Sequence, residues 1–464
     1  MIKESLVKTD VEQIENKKAT KGVFKILGEV ADAVRSWIGN IGPDLDNSRD
    51  ISSLVLKMNE CLNPKGGEVS ARKNTVSLGN LYLSLSEKGK IRFLQTLAEK
   101  FNTIKAEIDE KIMEYKENKN PELDYKFEQD LVKVLEPPCS KILKQFISLP
   151  EGLKFIVDMR SDVLKLKNQY RELDRLESEL KNILLSWVDV DLLDLCQITW
   201  GSPASLLEKL IKYEAVHKIS SWGDLKNRLD SDRLCFTFFH YKIPDEPLIF
   251  VEVALMNKIA DNIQHLLDES MPSSDPNNVN TAIFYSISNT QAGLSGISLG
   301  NFLIKRVVEK LSREFKSIKT YATLSPIPGF MKWLKENLSQ DITLLSKLDI
   351  KQSSIEILES IEQLKTNIKY KKQCLLKLCA YYLLKVKNDD SSAYDQVAHF
   401  HLSNGASIKQ LNWMADTSEK GIHQSAGIMV NYLYELSEID NNHENYMVNR
   451  MISCAKQVSS ILKG

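Results

Sequence analysis

The stretch AIFYSISNTQAGLSGISLGNFLIKRVV, Ala282–Val308, changes character twice within 27 residues. Ala282–Ser288 is short, apolar and aromatic, which reads as a buried strand. Asn289 to Gly300 holds glycines at 293, 296 and 300 among small residues. A helix from about Leu299 to Phe315 continues from it, and Tyr321–Leu324 is a further short strand. Strand, loop, helix and strand in that order mark an α/β layer.

The layer extends to both sides. Upstream, Leu234–His240 and Pro247–Leu255 read as strands around a turn containing Pro244 and Asp245, and a polar loop, Met271–Asn280, follows. Glu252 lies among apolar residues of the second strand; it reads as a solvent-facing edge residue and carries no role. Downstream come a long helical stretch from Ile355 to about Lys385, a strand over Val397–Leu402, and closing helices.

Before Trp187 the pattern is helical. Leu94, Leu97, Phe101, Ile104, Ile108 and Ile112 fall three or four apart over Ile91 to Tyr115. Leu166, Leu173, Leu176, Leu180 and Ile183 do the same over Val163 to Leu185. Such spacing gathers apolar side chains on one helix face. A weaker segment holds Phe24, Leu27, Val34 and Ile38. The expected fold is α+β: an all-α bundle over residues 1–186, then a domain with an α/β layer over 187–464. A chain of 464 residues suits two or three domains.

Sixty-one basic and 62 acidic residues nearly cancel, so no net field favours nucleic acid or an anionic membrane. Seven scattered cysteines without a C-x-x-C pair suit reduced thiols rather than a zinc ribbon. No run approaches the roughly 18 apolar residues of a spanning helix. Glu4, Asp10, Glu12 and Glu15 make a poor organelle leader, and Leu462-Lys463-Gly464 is no peroxisomal address. The cytoplasm is the expected location.

Three segments carry possible chemistry. The Gly-rich turn exposes backbone N–H groups at a helix N-terminus, where a pyrophosphate would sit. It lacks the Gly-Lys-Ser/Thr of a Walker A loop and does not keep G-x-G-x-x-G in register. It resembles loosely the Gln/Arg-x-x-Gly-x-Gly/Ala turn with which acetyltransferase-like folds hold coenzyme A; an ordinary strand–helix turn is the plainer reading. Ser325 lies in Leu324-Ser325-Pro326-Ile327-Pro328, whose prolines restrict the backbone, so its hydroxyl is either preorganised for binding or a capping group. His399 and His401 alternate with apolar residues, and as a strand both face one side. They are a metal pair lacking a clear third ligand, two structural histidines, or one catalytic histidine with a support. Asn404-Gly405 then forms a turn that could present backbone donors.

Taken together, the chain resembles the malonyl-CoA decarboxylases. The resemblance lies in Ala282–Val308, in LSPIPGFMKWL (Leu324–Leu334), in FHLSNGA (Phe400–Ala406) and in NWMADTSEKGIHQSAGIMVNYLY (Asn412–Tyr434). It reaches weakly to Ile198-Thr199-Trp200 and Ala215-Val216-His217. It implies a helical domain serving assembly, with a homo-oligomer, in the family a tetramer, expected, and an acetyltransferase-like domain converting malonyl-CoA to acetyl-CoA and CO2. It also implies a catalytic Ser at Ser325 and a catalytic His at His401, with Tyr434 and Asn431 beside them. The coenzyme A stretch falls on Ser295, Gly296, Ile297, Ser298, Leu299, Gly300 and Asn301. Ser298 departs from a Glu found there in some members.

In this reading Ser325 grips the carboxylate and His401, as imidazolium, protonates C2; alternatively Ser325 relays the proton with His401 as partner. No cofactor is called for, neither metal, biotin nor pyridoxal phosphate, because the thioester is itself the electron sink. The rivals are an acyltransferase with an amine acceptor, a Ser–His thioesterase, and a sensor that binds malonyl-CoA without turnover.

Overall fold

The structure, a computed structural model, describes residues 41–188, 192–271, 275–297, 300–340, 343–350 and 368–463. The segment with Phe24, Leu27, Val34 and Ile38, and the first part of the stretch from Ile355, lie outside them. The chain forms two compact units. One runs to Trp187 and includes Ala292–Leu294; the other holds Val188–Gln291 and Ser295–Gly464.

The first unit is helical: α1 Ser48–Leu62, α2 Gly67–Ser84, α3 Glu87–Lys100, α4 Lys105–Glu117, α5 Asp124–Leu135, α6 Pro138–Phe146, α7 Gly152–Leu166 and α8 Asp174–Trp187. Two stripes read as single helices are each broken. The first divides at Phe101–Ile104 into α3 and α4: Leu94, Leu97 and Phe101 are buried, whereas Ile104 is exposed. The second divides between Leu166 and Asp174, with Leu173, Leu176, Leu180 and Ile183 buried. Burial of each such side chain contributes about 1.5–3 kcal/mol, so the stripe fixes which residues are inside even where the helix is interrupted.

Ala292–Leu294 belongs to this unit through backbone contact. Arg160 Nη1 donates to Gly293 O at 2.5 Å, and a Cβ at Gly293 would overlap the carbonyl oxygen of Val157. Gly293 is therefore required by close backbone packing.

The second unit is built on a seven-stranded sheet of order β1-β2-β3-β4-β5-β7-β6. The strands are β1 Leu193–Ile198, β2 Arg233–His240, β3 Ile243–Met256, β4 Thr281–Asn289, β5 Thr320–Thr323, β6 Ser407–Asn412 and β7 Met429–Tyr434. The β2–β3 turn falls at Tyr241-Lys242, and Pro244 and Asp245 lie within β3. All neighbouring pairs are antiparallel except β4–β5, which is parallel and joined through helix α9, Gly300–Glu314. The molecule is α+β, and its one parallel pair inside an antiparallel sheet agrees with the acetyltransferase-like expectation.

That pair makes the site possible. β4 and β5 pair only over Thr281–Phe284 and Thr320–Thr323, with one further bond from Leu324 N to Phe284 O at 3.0 Å. The β3–β4 register also shifts between Glu252 and Val253, leaving Tyr285 as an extra residue on β4. A bulge bends its strand, and beyond Phe284 the edge of β4 facing β5 is no longer covered by it.

Glu252 is not on an edge. β3 lies between β2 and β4, and the side chain is fully buried. Its Oε2 accepts from Arg228 Nη1 at 3.0 Å, and Arg228 Nε also donates to Asp224 Oδ1 at 2.7 Å. Burial, reinforced by the charge of Glu214 and opposed by Arg228, pushes the Glu252 carboxyl up to about 8. Apolar neighbours in sequence misled because a buried carboxylate is identified by a distant cation, which alternation does not reveal.

Candidate active site

The strand expected over Val397–Leu402 is a helix, α10, Gln396–Ser403. Asp395 caps it: its Oδ1 accepts from Val397 N at 3.0 Å and Ala398 N at 2.9 Å. Asn404 ends it, accepting neither a longer helix nor a strand, and Gly405 follows at φ +80. Asp before and Asn-Gly after are the punctuation of a short helix. That signal was present in the sequence and outweighs two-residue alternation.

The consequence is functional. Residues two apart on a helix point about 200° apart, so the histidines separate. His399 Nδ1 meets Tyr446 OH at 2.7 Å. His401 turns inward, only 3% exposed, and its Nε2 lies 3.1 Å from Ser325 Oγ. Among the described residues no group of three or more His, Cys, Asp or Glu is placed to hold a metal.

Ser325 is held from both sides. Its N donates to Val430 O at 2.9 Å, and Val430 N donates to its O at 3.0 Å, so β7 fixes the backbone beyond the end of β5. Its Oγ donates to Thr323 Oγ1 at 2.8 Å. A hydroxyl has one proton, so at the Ser325–His401 contact Nε2–H is the donor. Nδ1 then accepts from Tyr434 OH at 2.8 Å. This tautomer follows from the hydrogen-bond pattern.

The ring of Tyr432 stacks on His401 with centroids 4.4 Å apart at 26°. Burial lowers His401 to about 3 and raises the Tyr434 phenol well above its ordinary range. Burial by itself therefore favours the neutral imidazole and the protonated phenol.

Asn431 is not in this chain of contacts. Its Nδ2 donates to Ala260 O at 2.9 Å and Thr323 O at 2.6 Å, and its Oδ1 accepts from Asn412 Nδ2 at 2.6 Å. It ties β7 to β5 and touches neither Ser325 nor His401 in the hydrogen-bond network. Thr323 and Tyr432, which sequence reading missed, do touch them.

Of these groups Ser325 and His401, together with His399, line a cleft of about 510 Å³ where β4 and β5 part. Phe284, Tyr285, Ser286, Ile287 and Asn289 of β4 form one wall, with Ser325, Phe400 and His401 also lining it. Of the expected coenzyme A stretch, Gly296 and Ile297 reach the cleft, and Gly296 has φ +70, a conformation that favours glycine. Ser295 is exposed; Gly300 opens α9, and Asn301 follows in it. Ser298 and Leu299 lie outside the described residues.

Comparison with known proteins decides the family. Residues 191–464 match the malonyl-CoA decarboxylase C-terminal domain, and residues 101–188 match the malonyl-CoA decarboxylase N-terminal domain. The chain belongs to the malonyl-CoA decarboxylase family. The mitochondrial malonyl-CoA decarboxylase of Anser anser anser is 36% identical over 383 residues, 77% of this chain and 76% of that protein. The mitochondrial enzyme of Mus musculus is 36% identical over 353 residues, 71% of this chain and 72% of its own. The crystal structure of malonyl-CoA decarboxylase from Rhodopseudomonas palustris matches with a TM-score of 0.82 at 37% identity, covering 88% of this chain and 99% of that one. The one from Agrobacterium vitis matches at 0.80 and 34% identity, covering 89% and 99%.

One further spacing bears on the thioesterase alternative. Gly296-Ile297-Ser298-Leu299-Gly300 has the G-x-S-x-G form of a nucleophile elbow, so sequence alone does not dismiss a thioesterase. Among the described residues, however, the serine hydroxyl that meets a histidine ring nitrogen is that of Ser325.

Proposed function

We infer that the chain decarboxylates malonyl-CoA to acetyl-CoA and CO2, with Ser325, His401 and Tyr434 as the working groups. The observation that carries this is the continuous buried path from Thr323 through Ser325 and His401 to Tyr434, whose middle pair, Ser325 and His401, lines a cleft. The family fixes the substrate class; the geometry supports the roles.

The bared edge of β4 suits the amides of the pantetheine arm, which would pair with it as a neighbouring strand does. The turn around Gly296 and the start of α9 suit the pyrophosphate. No Lys or Arg is among the described residues lining the cleft. In this reading the positive charge set beside the malonyl carboxylate is that of protonated His401, and it disappears with the proton given to C2. Ser325 then orients the carboxylate by hydrogen bonding without neutralising it.

A carboxylate entering beside a neutral imidazole favours protonation of His401, and Tyr434 OH turns from donor to acceptor. The C–C bond breaks, its electrons pass into the thioester carbonyl, and CO2 leaves. C2 of the enolate takes the Nε2 proton, which restores neutral His401. One proton, acquired with the substrate, is consumed per turnover.

Incubation of pure protein with malonyl-CoA should give acetyl-CoA and CO2 in equal amounts, unchanged by a chelator. Malonate with free CoA would instead identify a thioesterase, and tight binding without turnover a sensor.

Assembly is part of the same reading. α4 and α5 have no buried residue, yet they carry Met113, Tyr125 and Val132, each more than 60% exposed. An apolar face of this kind suits self-association, and we assign it to a homo-oligomer, with a tetramer as the expected form. Val132→Glu should lower the mass seen by light scattering while leaving the helical circular dichroism intact; an unchanged mass would remove this face from the interface. For location, seven unpaired cysteines fit a reducing compartment, and the cytoplasm is our reading.

A further inference from the structure

Thr323, the last residue of β5, is fully buried. Side chains two apart on extended backbone share a face, so β5 and its continuation set the Thr323 and Ser325 hydroxyls side by side, 2.8 Å apart. Thr323 Oγ1 also accepts from Tyr432 N at 3.1 Å. That amide belongs to β7, so one lone pair of Thr323 is fixed by the sheet.

In the structure Ser325 gives its proton to Thr323 and accepts one from His401 Nε2. Both arrangements must change during the reaction. The Ser325 proton is wanted by the substrate, and the His401 proton goes to C2. A buried Ser325 Oγ would then lose its donor when charge is moving beside it, which carries the cost of an unpaired buried acceptor. Thr323 has a proton of its own, and Ser325 Oγ is the adjacent acceptor.

We propose that Thr323 is a positioning residue that reverses its hydrogen bond with Ser325 when malonyl-CoA binds. It releases the Ser325 proton to the substrate and becomes the donor to Ser325 Oγ as His401 gives its proton to carbon. This rests on the reading of Ser325 given above.

The test compares Thr323→Val, which keeps shape and loses the hydroxyl, with Thr323→Ser, which keeps it. Thr323→Val should lower kcat by roughly 10- to 100-fold, the rate equivalent of one unpaired buried group. KM for malonyl-CoA should stay within about threefold, because binding is not what is lost. Thr323→Ser should retain most of wild-type kcat. In a Ser325→Ala background Thr323→Val should cost nothing further, since residues acting as one unit are not additive.

Thr323→Val also leaves Tyr432 N–H without its partner. If that variant does not fold, Thr323→Ala, with room for a water at that amide, carries the same kcat measurement. Wild-type turnover by Ser325→Ala would overturn the reading of Ser325 itself. An inactive Ser325→Ala together with wild-type kcat for Thr323→Val, or a Thr323→Ser as slow as Thr323→Val, would overturn the role of Thr323 alone.

Discussion

Replacing His401 with Ala should lower kcat by roughly 10²–10⁴-fold, the usual contribution of a general acid, while the Kd for CoA changes little. The side chain reaches the cleft and the Ser325 hydroxyl at 3.1 Å, and in the proposed mechanism what is lost is the proton delivered to C2. Rapid-quench turnover alongside calorimetric titration with CoA separates the two quantities. A variant with wild-type rates would remove His401 from the chemistry.

The pH dependence adds a second reading of the same residue. Burial holds His401 down to about 3, so it is neutral above that value. The pH profile of kcat/KM reports groups of the free enzyme. It should therefore show no limb at the ordinary histidine value of about 6.5 that belongs to His401. The sign for stability follows from linkage. A histidine lowered on folding leaves the unfolded chain binding more protons between about 6.5 and 3, so its contribution is intact above that window and is lost as pH falls through it. Loss of His401 should soften acid denaturation in that range.

Ser325→Ala is the second large effect. In the proposed mechanism Ser325 orients the carboxylate that leaves, and losing such positioning typically costs about 10²-fold in kcat. Its backbone is bonded on both sides to Val430, so the fold should survive loss of the hydroxyl, and affinity for acetyl-CoA should be nearly kept. Equal loss of turnover and of acetyl-CoA affinity, with a lowered Tm, would instead mark a structural serine.

These expectations depend on elements that differed in how openly the sequence declared them. Ser325 was legible because prolines at 326 and 328 announce a restricted backbone. The β4–turn–α9–β5 unit was legible because apolar runs and glycines are local signals. His401 was legible only through the resemblance. Alternation alone put it on a strand beside His399, and the cap at Asp395 decided otherwise. Thr323 and Tyr432 gave no signal, since a threonine and a tyrosine in strands are ordinary β-formers.

By itself, the sequence determined the helical character of the first unit, the apolar strands β2, β3, β4 and β5, and which family the blocks around Ser325 and His401 resemble. These are matters of spacing and local backbone preference, which a chain carries wherever it is. Tertiary structure alone decided that β4 and β5 part after four paired residues, that Glu252 is buried against Arg228, and that Ser325, 76 residues before His401, meets it beside Thr323. Those facts depend on strand order and on contacts between distant residues, and desolvation there sets the protonation of His401, which no local pattern encodes.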